Sequence, residues 1–113
     1  MRMDIDLMRA ILVKGEELPP GAHNIEIDGY TPEEISFQIQ LLRDDGLVEA
    51  LNCANLQTPC CWLFQRMTAS GYRFLADARN DSVWQKAKAF ILKAGSALTI
   101  EAMKIAITEV LKG

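Results

Sequence analysis

Long apolar runs are missing from this chain. No stretch approaches the roughly 18 consecutive apolar residues that a spanning helix needs, and the opening Met1-Arg-Met-Asp-Ile-Asp6 is too acidic for a secretory signal. A cytoplasmic protein without a membrane partner is therefore expected. Histidine occurs once, at His23, and no Ser or Cys motif with a base stands near it, so nucleophilic catalysis would need a triad assembled by long-range folding. The three cysteines, Cys53, Cys60 and Cys61, lack a Cys-x-x-Cys pair. Together with His23 they make a poor zinc site, and their odd number without an export signal points to reduced thiols packed as small hydrophobes. No metal, no cofactor and no enzymatic activity are expected.

A uniform basic surface is also missing. Residues 1–50 carry four Lys or Arg against eleven Asp or Glu, a balance of -7, whereas residues 51–113 carry eight against four, a balance of +4. The front half would repel phosphate. A nucleic-acid stripe would have to come from Arg66, Arg73, Arg79, Lys86, Lys88 and Lys93.

What is present is a series of well-marked elements. Ile5, Leu7, Met8, Ile11 and Leu12 recur at helical spacing from an Asp4 cap to about Lys14, and Leu18-Pro-Pro-Gly21 ends that element. His23 to Ile27 alternates and reads as a short strand. Thr31, Pro32 and Glu34 write the start of a helix as N-cap, first-turn proline and capping box. Gly46 and Leu47 write its stop, with Leu47 spaced to touch Leu42. Leu47 to Asn52 and Trp62 to Met67 read as a hairpin with a long tip around Pro59. Thr68 or Ser70 caps a helix to about Arg79, and Ser82 caps another to about Lys93. Thr99 or Ser96 starts a last helix that is apolar nearly all round. Such a helix needs cover from the domain or from a second copy, so a homodimer through Ile100, Met103, Ile107, Val110 and Leu111 is expected. Trp62, Phe64, Phe74 and Trp84 fall at inward positions and read as core.

The order helix, strand, helix, hairpin, helix is that of a winged helix. Met3 to Leu12, Gly29-Tyr30, Gly46-Leu47, Thr68-Ala-Ser-Gly71 and Asp81-Ser-Val-Trp84 together resemble an uncharacterised phage and prophage family of small winged-helix-like proteins, a domain of unknown function. The resemblance covers about residues 3–92. It implies an α+β, winged-helix-like domain over residues 1–94, followed by a C-terminal helix over 95–113 that packs on the domain or dimerises. It implies no chemistry.

The helix that would read DNA has the wrong sign for it. Glu33, Glu34, Asp44 and Asp45 stand on or beside it against Arg43 alone, although Ser36, Gln38 and Gln40 are residue types that can address base edges. The expected function is that of a non-enzymatic phage or prophage accessory protein, a protein-interaction module that meets a host or phage protein through Glu33, Glu34, Gln38, Gln40, Asp44 and Asp45. The alternative is a winged-helix regulator that binds double-stranded DNA through the wing and the basic half, with Arg66, Arg73, Arg79 and Lys86 as contacts.

Overall fold

The computed structural model describes residues 1–113 as an α+β fold of five helices and one two-stranded antiparallel hairpin. The first helix, α1 (Ile5–Glu16), begins where the Asp4 carboxylate accepts the Leu7 N–H at 3.0 Å. It buries Ile5, Leu7, Met8, Ile11, Leu12 and Gly15. Gly15 is required there, because a Cβ would overlap the Phe64 ring.

Helix α2 (Pro32–Asp44) carries both halves of its capping box. Thr31 Oγ1 accepts from the Glu34 N–H, and Glu34 Oε1 accepts from the Thr31 N–H at 3.0 Å. At its end Gly46 takes φ +77°, the Leu47 N–H reaches the Leu42 carbonyl at 3.0 Å, and the Gly46 N–H reaches that of Arg43 at 2.9 Å. These are the two bonds of a Schellman stop.

Strand β1 (Val48–Asn52) pairs antiparallel with β2 (Trp62–Met67), from Val48 opposite Met67 to Asn52 opposite Trp62, with a bulge between Glu49 and Ala50. The expected third strand over 23–27 shrinks to a single bridge between His23 and Phe64. Beyond that pair the segment leaves the sheet edge and drops Ile25 into the core.

Helix α3 (Ala69–Ala78) starts at Thr68, whose hydroxyl accepts the Gly71 N–H and donates to the Gly46 carbonyl at 2.6 Å, so one side chain joins the end of α2 to the start of α3. A Cβ on Gly71 would strike the Leu47 carbonyl. Helix α4 (Asp81–Lys93) is capped by Asn80, not Ser82, because the Asn80 side chain already holds the Val83 N–H at 3.1 Å. Helix α5 (Ile100–Lys112) is capped by Thr99 and packs chiefly on α4, with α3 beside it.

One core of 23 buried residues runs through all five helices and the hairpin. It includes Ile100, Met103 and Ile107. Those three were expected at a dimer interface; the chain covers them itself, since α3 and α4 supply the surfaces that their faces require. Val110 is half-buried, and the apolar residues that α5 exposes are Ile105 and Leu111, at 62% and 56%. No helix is long and apolar enough to cross a membrane.

The cysteines also differ from expectation. Cys53 and Cys61 are disulfide-bonded and only Cys60 is free. The ladder continues one step past the hairpin strands, with the Cys53 N–H on the Cys61 carbonyl at 2.9 Å and the Cα atoms 5.0 Å apart, inside the range a disulfide spans.

Candidate interaction surface

Helix α2 lies against the hairpin on one side and α1 on the other, and that placement decides which of its polar groups remain available. Gln38, expected on the open face, is 2% exposed. Its Nε2 donates to the Arg2 carbonyl at 2.8 Å and its Oε1 accepts the Asp4 N–H at 2.9 Å, so it fastens the segment ahead of α1 and reads nothing outside the chain. Ser36 is buried as well and accepts the Trp62 N–H at 3.2 Å. Gln40 is half-buried. Arg43 lies over the Trp62 ring at 5.3 Å and 3.7 Å from Asp44.

The acids stay outside. Glu33 and Glu34 are exposed at the start of α2, Glu34 with one oxygen committed to the cap. At the far end Asp44 and Asp45 are exposed beside the first turn of α5. Burial pushes the Asp45 carboxyl up, and the negative charges of Glu101 and Asp44 reinforce that against the pull of Lys104, so it sits above the ordinary value. Glu101 therefore belongs to this acidic end. It escaped sequence reading because an acid in a first helical turn is explained locally by the helix dipole.

The basic residues fare differently. Arg66 pairs with Glu49 at 3.0 Å, Arg79 with Glu16, and Lys88 with Asp6 at 2.8 Å. Of the six residues proposed for a phosphate stripe, Arg73, Lys86 and Lys93 have no carboxylate partner. Arg73 donates to Ser70 Oγ at 3.2 Å and, with Lys104, Asp77 and Thr108, rims a groove of about 280 Å³ between α3 and α5, floored by Phe74 and Ile107. No three His, Cys, Asp or Glu side chains converge as a metal site.

An α+β domain with exposed acids at both ends of α2 and six of its twelve Lys and Arg paired with its own carboxylates defines the class. The chain belongs to the family described as Hypothetical protein (DUF2513), which it matches over residues 2–97. It is 31% identical over 107 residues to an uncharacterized protein of Haemophilus influenzae (strain ATCC 51907 / DSM 11121 / KW20 / Rd), covering 92% of this chain and 90% of that one. No solved structure matches it.

Proposed function

We propose that the protein is a non-enzymatic protein-interaction module, winged-helix-like in layout, that meets a basic surface of a host or phage protein through the acids of α2. The observation that carries this reading is the set of acids left without an ion pair at the two ends of α2. Arg66, Arg79 and Lys88 are answered by carboxylates of the same chain, while Glu33, Asp45 and Glu101 have no cation within ion-pair distance. An unanswered acidic surface steers and orients a basic partner. The order of α1, the His23 bridge, α2, the hairpin and α3 supports the winged-helix description. The resemblance noted for the sequence motifs supports an accessory role in a phage or prophage.

Duplex DNA is the second reading, favoured by Arg73 and Lys86, whose charges no carboxylate neutralises. Salt separates the two. A DNA reader would shift duplex in a gel at roughly 50 mM salt and lose most of that affinity by 200 mM; the protein-binding reading predicts no shift at either. In lysate of the source organism, the wild type should retain a partner that the double substitution Asp44→Asn and Asp45→Asn loses and that Arg73→Ala keeps. Retention by the acid-deleted variant would remove the reading.

A further inference from the structure

The tip of the hairpin is held by chemistry that the rest of the fold does not use. Residues Ala50 to Gln65 carry no charge, and Leu56 at the apex is fully exposed. The turns of the tip close on themselves: Asn52 Oδ1 accepts the Ala54 N–H, and Asn55 Oδ1 accepts those of Gln57 and Thr58. The one hydrogen bond from residues 54–60 to the body is from Cys60 Sγ to the Glu33 carbonyl, at 3.9 Å. The Cys53–Cys61 bond closes this segment across the strands, with the free Cys60 thiol next to it in sequence. None of the three cysteines belongs to the core, and each is half-exposed.

We propose that Cys53, Cys60 and Cys61 form a thiol–disulfide exchange site, opened by a dithiol reductant of the thioredoxin class without unfolding of the body, in which Cys60 can take over the bond to Cys53. In the reductive step the reductant's thiolate attacks one bridge sulfur to give a mixed disulfide. Its second thiol resolves that intermediate, so the reductant leaves as a disulfide, and Cys53 and Cys61 together gain the two electrons and two protons. In the internal step the Cys60 thiolate attacks the Cys53 sulfur. The Cys53–Cys60 bond forms, and Cys61 leaves as a thiolate that takes up the proton Cys60 released.

Three measurements test this. Alkylation and mass mapping should find Cys60 alone modified before reduction and all three cysteines modified after mild dithiothreitol. Amide exchange over 53–61 should then accelerate about tenfold or more while α1 and α3 keep their protection. The Cys61→Ser variant should form a Cys53–Cys60 bridge in a glutathione redox buffer. Three free thiols in protein purified without reductant would overturn the site. So would reduction that occurs only where α1 and α3 unfold, exchange unchanged at the tip, or a Cys61→Ser variant that stays fully reduced.

Discussion

Asp6 and Asp45 are both partly exposed carboxylates that feel charges of a second helix, and the molecule shifts them in opposite directions. At the α1–α4 contact burial pushes Asp6 up, but hydrogen bonds from Lys88 and Trp84 and the charges of Lys88 and Arg9 outweigh it and hold the carboxyl below its ordinary value. At the C-terminal end of α2 burial and the charges of Glu101 and Asp44 outweigh Lys104 and hold Asp45 above it. The first carboxylate is consumed by the fold. The second is a charge the fold bears without answering, and such uncompensated groups concentrate at functional surfaces.

The sharpest way to break this contrast is to remove what Asp6 serves. Trp84 is fully buried, meets Phe74 edge to face at 6.2 Å and lies under Arg9 at 5.3 Å. Trp84→Ala should cost about 3–5 kcal/mol in urea unfolding, with the acidic end of α2 left intact. Asp6→Ala comes next. It takes the acceptor from the Trp84 indole N–H, so about 1–3 kcal/mol is expected, whereas Asp6→Asn keeps an oxygen there and should cost less. Equal losses for the two variants would mean that the indole bond does not carry the contact.

Much of this architecture could be read from the chain because its signals are local. The capping box at Thr31, the stop at Gly46 and the hairpin strands depend on residues a few positions apart, and each stands where its residues put it. The errors share a cause. Polarity alone puts Ser36 and Gln38 in solvent, but their partners, the Trp62 N–H, the Arg2 carbonyl and the Asp4 N–H, come from remote parts of the chain. A buried polar side chain needs a partner, and no local pattern announces one so distant. Likewise, the apolar character of α5 did not distinguish cover by α3 and α4 from cover by a second copy, and the Cys53–Cys61 bond follows from strand register more than from cysteine count. For the candidate site, the four acids on or just beyond α2 were legible, while the contribution of Glu101 required the packing of α5.

Acid titration reads both carboxylates at once and gives the smallest effects. Asp6, with its folded value depressed, contributes stability that is complete above the ordinary 3.8 and is lost as pH falls through the folded value. Asp45, with its folded value raised, does the reverse: its ionised form penalises the folded state at neutral pH, and the penalty fades as pH falls through the raised value toward 3.8. Both groups are solvent-screened, so each contribution is about 1 kcal/mol or less. Asp45→Asn removes the penalty and should raise Tm slightly at neutral pH, by about a few tenths of a kcal/mol in stability. That advantage should shrink on acidification to 3.8. The same substitution should weaken partner binding, because the charge that costs the free protein is the one a basic partner would answer. A lower Tm for Asp45→Asn at neutral pH would instead place Asp45 with Asp6, among the charges the fold consumes, and would leave α2 without a reason to look outward.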